Sequence, residues 1–175
     1  MHDSYSNILL IFGSGRQAGK TAFARRVIAN TGNVTAVKIS HHFHTPTPGL
    51  VKLSEGEGWV INREEDATSQ KDSSLFLQSG ASASFYIQAE KSKIQEVFDQ
   101  LKNFLPETEP ILIESAGLSE ILTPGLSVFI SPENEESEKN RAKAENTDLK
   151  VFSDGKQFHP APEIVIFDKV WKIKN

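Results

Sequence analysis

The chain has 175 residues, a formal net charge of −4 and no cysteine, which together predict one acidic domain spanning residues 1–175 with a single sizeable core. The acidic balance argues against nucleic acid as a partner, and the lack of cysteine excludes disulfides and zinc–thiolate sites. The absence of a long apolar run and of a basic leader predicts no membrane span or signal peptide, so we expect a cytoplasmic protein.

The first forty residues predict a strand, a helix and a second strand. Residues 7–12, NILLIF, form a short apolar run typical of a strand that is covered on both faces. The period then becomes helical from about Lys20, and Gly32 marks the expected end of that helix. Residues 33–40, NVTAVKIS, are rich in β-branched residues. This order with short connections indicates a βαβ unit.

The rest of the chain predicts further strands and helices around one long insertion. We expect residues 43–65 to form a loop or hairpin insertion, with two short strands joined near GEG. A helix over 92–104 carries Ser92 and Gln95 in the pattern of a capping box. The charged segment 132–148 is either a solvated helix or a disordered loop. The other predictions are a helix over 66–79 and strands over 84–88, 110–114, 126–131, 149–153 and 163–167.

The stretch GSGRQAGKT lies between the first predicted strand and helix. Gly19, Lys20 and Thr21 match the second half of the phosphate-loop pattern G-x-x-x-x-G-K-[ST], while Ser14 stands at its first glycine. In such a loop the backbone N–H groups and the positive end of the helix dipole face a bound anion. Lys20 then reaches the phosphates, and the Thr21 hydroxyl binds Mg²⁺. The alternative is a plain glycine-rich turn. The residues predicted to bind nucleotide here are Ser14, Gly15, Arg16, Gln17, Ala18, Gly19, Lys20 and Thr21.

Two further groups follow predicted strands. Glu114 ends the buried strand 110–114, where its carboxylate would bind Mg²⁺ or orient an attacking water, so it is the candidate catalytic residue. The alternative is a solvated glutamate. Lys38, His41 and His42 end the strand 33–40, and His44 follows them. Alternation places His41 on one side and the other two histidines opposite, a poor metal cage, so we expect these residues to line a nucleotide site or to be solvated.

Four stretches together resemble the molybdopterin-guanine dinucleotide biosynthesis protein B family (MobB). These are SGRQAGKTA, VKISHH, DATSQKDSSLFLQSGA and ILIESAG. The triplet Lys71-Asp72-Ser73, followed by Gly80-Ala81, is the most specific match after the glycine loop. The chain departs from the family pattern at Ile39, at Phe43 and at Ser115.

The resemblance implies a doubly wound α/β fold of the P-loop NTPase type, with three α/β/α layers and a mostly parallel sheet. It implies a homodimer that binds GTP with Mg²⁺, is at most a slow GTPase, and assists guanine nucleotide attachment to molybdopterin as partner of the nucleotidyltransferase. Asp72 would then contact the nucleotide and Asp66 the metal. ATP remains open as the ligand, because the guanine-reading N-K-x-D element is absent.

Two other functions remain open on the same fold. One is an ATP-dependent small-molecule kinase or ligase, in which the 43–65 insertion forms the acceptor pocket. The other is a regulatory or scaffolding module without hydrolysis.

Overall fold

The fold is built on a nine-stranded sheet, seen in a computed structural model that describes residues 3–15, 18–132 and 138–175. In chain order the elements are β1 (Ser4–Gly13), α1 (Lys20–Thr31), β2 (Thr35–Ser40), β3 (Leu50–Gly56), β4 (Trp59–Glu64), α2 (Asp72–Gln78), β5 (Ala83–Ala89), α3 (Ile94–Leu101), β6 (Ile111–Glu114), β7 (Thr123–Pro132), α4 (Glu138–Glu145), β8 (Leu149–Ser153), β9 (Phe158–His159), β10 (Val165–Asp168) and β11 (Val170–Ile173).

The sheet is mixed but mostly parallel, with the order β3-β4-β5-β2-β6-β1-β7-β8-β9. Each neighbouring pair from β5 to β8 is parallel, whereas β3, β4 and β9 join through antiparallel pairs. With four α-helices in the described residues, this confirms the predicted α/β class and is compatible with three α/β/α layers. Among the described residues, no helix is long and apolar enough to cross a membrane.

The core consists of two apolar clusters, one on each face of the sheet. Leu9 and Ile11 pack with apolar side chains of α1 and α2, whereas Ile8, Leu10 and Phe12 pack with those of α3. Successive side chains of a strand point to opposite faces, so a continuous apolar run is what a strand covered on both faces requires. The helices therefore cover β1 on both faces.

The predicted hairpin within 43–65 forms and extends the main sheet. β3 pairs with β4, and β4 pairs with β5 in antiparallel register. β10 and β11 form a separate two-stranded sheet. Trp171 on β11 is buried, and its indole N–H donates to the carbonyl oxygens of Asn7 (2.8 Å) and Ile111 (3.1 Å). β9 and β11 were not predicted, because β9 has only two residues and Trp171 is the one buried residue of β11.

Two helix predictions were wrong in part. α2 begins at Asp72 and not at residue 66. Before it, the Glu64 carboxylate accepts from the Asp66 N–H, and the Asp66 carboxylate accepts from the Thr68 N–H and hydroxyl. Such side chain–backbone bonds compete with helix formation.

The second error concerns the helix predicted over 92–104. The chain is helical there, but it is α-helical only over Ile94–Leu101 and has 3₁₀ turns on either side. The capping box of Ser92 and Gln95 is not formed, since no side chain caps the start of α3. Within the charged segment 132–148, α4 forms the predicted helix, and residues 133–137 lie outside the described residues.

Candidate functional site

A cleft of about 1360 Å³ opens at the carboxyl ends of β1, β6 and β2. This is the edge at which open α/β sheets bind their ligands. Among the described residues, Ser14 and Asp66 do not line it, and Arg16 and Gln17 lie outside the described residues. The predicted site residues that line the cleft are Gly15, Ala18, Gly19, Lys20, Thr21, Lys38, His41, His42, Asp72 and Glu114.

The loop leaves β1 in a backbone conformation that suits its glycines. A Cβ on Gly13 would lie 2.1 Å from the carbonyl oxygen of Ile130, so the strands approach too closely there for any other residue. Gly15 (φ +59°) and Gly19 (φ +84°) occupy the left-handed region. Ser14 has no positive φ and donates its backbone N–H to Ile130 at 3.1 Å. The loop therefore tolerates serine where the phosphate-loop pattern has its first glycine.

Gly19 also leaves the start of α1 open. It occupies the N-cap position of the helix, and no side chain caps the first-turn N–H groups. These groups have no partner within the helix and carry the positive end of its dipole. The side chains of Ser153 and Phe158 pack against Gly19 from the other side. The sequence did not indicate this support, because it depends on how β8 and β9 join the sheet.

Lys20 folds back over the loop. Its ammonium donates to the carbonyl oxygen of Gly15 at 2.5 Å. Burial lowers the pKa of Lys20, and the charge of Lys38 adds to this effect, although the carboxylates of Glu114 and Asp72 oppose it. An anion bound in the loop would favour the charged form of Lys20.

Glu114 is the centre of the charged network. Its carboxylate is buried, and it accepts from the Thr21 hydroxyl at 3.1 Å and from the Lys38 ammonium at 2.5 Å. Lys38 also contacts Asp72 at 2.9 Å. Burial opposes the charge on Lys38, but the two carboxylates outweigh it and raise the pKa of this lysine. The structure thus brings together four of the predicted residues, on β2, β6 and the first turns of α1 and α2.

The histidines and Asp66 do not join this network. The His41 ring nitrogen Nδ1 lies 2.9 Å from the carbonyl oxygen of Ala89, so Nδ1 carries the proton and donates. In the part of the chain that the structure describes, no group of three or more His, Cys, Asp or Glu side chains is placed to hold a metal. Asp66 accepts from Thr68 in the loop before α2 and lies outside the cleft lining, so its predicted role as a metal ligand has no support.

Sequence reasoning missed a buried carboxylate beside the cleft. Glu64 at the end of β4 is 2% exposed and accepts from the Ser73 hydroxyl at 2.8 Å and the Asp66 N–H at 3.0 Å. The Lys71 ammonium lies 3.7 Å away and also donates to Thr47. Glu64 therefore ties the hairpin to the start of α2, where Asp72 lies. The one signal in the sequence was an acidic residue ending a strand next to the Lys71-Asp72-Ser73 triplet.

The donor set fits a Mg²⁺ ion. The Thr21 hydroxyl oxygen and the Glu114 carboxylate oxygen Oε2 lie 3.1 Å apart, and both are hard oxygen ligands of the kind that Mg²⁺ prefers. Mg²⁺ in nucleotide sites usually takes one or two such protein ligands and completes its shell with phosphate oxygens and water.

The chain matches no protein-family model, no curated protein and no solved structure.

Proposed function

We propose that this chain is a Mg²⁺-dependent GTP-binding protein of the P-loop type. The observation that carries the proposal is the hydrogen bond between Thr21, in the first turn of α1, and Glu114, at the end of the strand beside β1. It joins the loop that follows β1 to a buried carboxylate, and Lys20 lies at the same point of the cleft. A glycine-rich turn needs neither the carboxylate nor the uncapped helix start.

In this function each residue has a separate role. Lys20 neutralises phosphate charge, and the N–H groups at the start of α1 bind phosphate oxygens. Thr21 and Glu114 would hold Mg²⁺, which would supply charge neutralisation at the bound phosphates. Lys38 and Asp72 complete the network around Glu114. Glu114 would also orient an attacking water, and the intrinsic hydrolysis that we propose is weak or absent.

The cellular role follows from the resemblance of the motifs to the MobB family. We propose that the protein assists guanine nucleotide attachment in molybdenum-cofactor biosynthesis, as a cytoplasmic homodimer that partners the nucleotidyltransferase. The motifs that support this role lie in the cleft, since Lys38, His41, His42, Asp72 and Glu114 all line it.

A second candidate is an ATP-dependent small-molecule kinase or ligase. The observation that favours it is the extent of the cleft, which continues from the glycine loop to Lys52, Val60 and Asn62 on the hairpin. A nucleotide-only site does not require that extension.

The experiment is a calorimetric titration of the wild-type chain with GTP and with ATP, each with and without Mg²⁺. Lys20→Ala tests the loop, and Lys91→Ala, an exposed lysine outside the cleft, is the matched control. We expect micromolar, Mg²⁺-dependent binding of GTP that Lys20→Ala abolishes and the control retains. A preference for ATP would favour the kinase. Retained micromolar affinity in Lys20→Ala, or no binding by the wild type, would overturn the P-loop assignment.

A further inference from the structure

A row of polar side chains crosses the sheet from the glycine loop to the hairpin. In the strand registers Glu114 lies opposite Lys38, Lys38 opposite Tyr86, Tyr86 opposite Asn62, and Asn62 opposite Lys52. Residues directly opposite each other on neighbouring strands share a face and lie about 5 Å apart. All five line the cleft. The row thus extends the charged network by roughly 14 Å beyond Lys38, at about 4.8 Å for each of three strands.

The helices leave the far part of this row open. α1 packs on β1 and β6, and α2 packs on β2 and β5. Over β4 the cleft takes the position that α1 and α2 occupy over the other strands, and Val60 and Asn62 line it. The opposite face of β4 is closed, since Trp59 and Ile61 belong to the core cluster of α3. The hairpin therefore adds an uncovered, polar platform to the sheet.

Two side-chain amides on this platform are buried, and only one end of each is satisfied. Asn62 and Gln88 are each 5% exposed. The Asn62 amide NH₂ donates to the carbonyl oxygen of Tyr86 at 3.3 Å, and that of Gln88 donates to His44 at 3.3 Å. These carbonyl partners require the NH₂ ends to face them, which leaves the amide oxygens toward the cleft. The oxygens accept no hydrogen bond from the described residues, and they reach solvent in the cleft, since Ser14 Oγ is the one fully buried side-chain oxygen or nitrogen of those residues without a partner.

The charges near these amides are already paired. Lys38 is held by Glu114 and Asp72, and Lys52 contacts Glu55 at 2.8 Å. A bound anion would have to displace one of these carboxylates and would face the amide oxygens. A neutral ligand that donates hydrogen bonds meets neither obstacle, and it replaces solvent on two amide oxygens that accept no hydrogen bond from the described residues.

We propose that Asn62, Tyr86 and Gln88 form a second ligand subsite, here called the amide floor. Its ligand is a small uncharged molecule that carries hydroxyl or amide N–H donors. Tyr86 is one strand away from Lys38, so a ligand on the amide floor lies beside the bound phosphates. This placement rests on the proposed nucleotide site, whereas the ligand chemistry rests on the two amides.

The test is a binding screen by ¹H–¹⁵N NMR on the full chain, run with and without saturating GTP and Mg²⁺. The neutral probes are myo-inositol, N-acetylglucosamine, uridine and nicotinamide at millimolar concentration, and the charged probes are citrate and spermidine. We expect at least one neutral probe to shift the backbone resonances of residues 60–62 and 86–88. No shift with any neutral probe, or larger shifts with citrate or spermidine, would overturn the proposal.

Variants test the acceptor role of the amides. Asn62→Leu and Gln88→Leu keep approximate side-chain size and remove the acceptor oxygens. Gln100→Leu, an exposed amide on α3, is the matched control. We expect each floor variant to bind the responding probe about tenfold more weakly, since a hydrogen bond is lost, and the control to bind it unchanged. Either floor variant suffices if the other does not fold. Unchanged probe affinity in a folded floor variant would overturn the proposal.

The amide floor and the proposed nucleotide site can be overturned independently of each other. If GTP binds and no neutral probe responds, the amide floor is wrong and the nucleotide site stands. If neutral probes shift the floor residues but GTP does not bind, the floor is a ligand site and the proposed nucleotide function is wrong.

Discussion

Lys38 and Glu114 face each other across β2 and β6, with the ammonium nitrogen 2.5 Å from carboxylate oxygen Oε1. The Glu114 carboxylate is 2% exposed, and burying a carboxylate costs free energy unless a cation pairs with it. The Glu114 carboxylate in turn stabilises the charged form of Lys38 and contributes to the raised pKa of this lysine. Each residue therefore offsets the free-energy cost of burying the charge of the other.

This dependence predicts strong coupling in a double-mutant cycle. Lys38→Met leaves an uncompensated buried carboxylate, which costs roughly 3–5 kcal/mol. Glu114→Gln removes the charge that holds Lys38, although Asp72 still contacts it. We expect the double variant to be destabilised by about 1–3 kcal/mol less than the sum of the single variants, measured by urea unfolding. Additivity to within about 0.5 kcal/mol would contradict the pairing.

Glu114→Gln also tests the proposed metal site. The substitution keeps the size of the side chain but removes the charge of one of the two proposed Mg²⁺ ligands, so we expect GTP to bind with an affinity that depends less on Mg²⁺. Any Mg²⁺-dependent phosphate release should fall as well. The measurements are titrations with and without Mg²⁺ and a phosphate-release assay, with the exposed Glu120→Gln as control. If the affinity for GTP depends on Mg²⁺ as strongly as in the wild type, Glu114 is not a ligand of the metal.

Gly19→Ala is expected to destabilise the fold more than its backbone angle explains. Position 19 has φ +84°, and the new Cβ would lie 3.0 Å from the Phe158 ring. That ring packs edge-on against Phe23 and is buried. Gly155→Ala is the matched control, since its φ is +89° with nothing within 4 Å of the Cβ.

The positive φ costs about 1–2 kcal/mol in both variants, and overpacking adds about 1–3 kcal/mol at position 19 alone. Urea unfolding of the two proteins measures the difference. Equal losses of stability would mean that Phe158 yields and that Gly19 is required only for its backbone conformation.

Glu64→Ala should show that the buried carboxylate fastens the start of α2. The variant loses the hydrogen bonds from Ser73 and from the Asp66 N–H, and we expect a loss of about 2–3 kcal/mol. The adjacent Glu65→Ala is the control, because that side chain is exposed and its one bond within the described part of the chain is to Arg63. Its loss should stay below about 1 kcal/mol. Similar midpoints of unfolding for the two variants would rule out this role for Glu64.

The parts of the site that were predictable are those set by short-range pattern. The apolar run, the glycines and the helical period place Lys20 and Thr21 at a helix start, and parallel strands bring Glu114 to the same edge. The bridge from Lys38 to Asp72 was not predictable, because it depends on strand order and on where α2 begins. The start of α2 was missed because side-chain hydrogen bonds, and not helix propensity, decide the conformation before it.

The platform of the hairpin shows the same limit. The sequence predicted two strands within residues 43–65 but not that β4 would pair with β5. That pairing alone places Asn62 in line with Tyr86 and Lys38. The register between two strands is fixed by the burial of alternate side chains such as Ile61, which depends on residues far apart in the chain. One polar residue within a predicted loop does not indicate which residue it will face on a neighbouring strand.

The indole of Trp59 on β4 sets the acidity of Glu96 on α3. The indole N–H donates to the Glu96 carboxylate at 2.8 Å. This bond lowers the pKa of Glu96, with a second contribution from Lys93. Because the folded-state pKa is lowered, the interaction stabilises the fold above the ordinary carboxyl value near 4.5 and is lost as the pH falls through the folded value.

Trp59→Phe removes this donor, and we expect the pKa of Glu96 to rise toward its ordinary value. Carbon NMR titration of the Glu96 carboxyl measures the change directly, independent of the packing that the smaller ring loses. Lys93→Met is the comparison, since it removes the other side chain that lowers the pKa of Glu96 and should raise that pKa as well. The stability difference between wild type and Trp59→Phe should therefore narrow as the pH falls through the lowered pKa of Glu96. An unchanged Glu96 pKa in Trp59→Phe would show that α3 is not held to the hairpin by this bond.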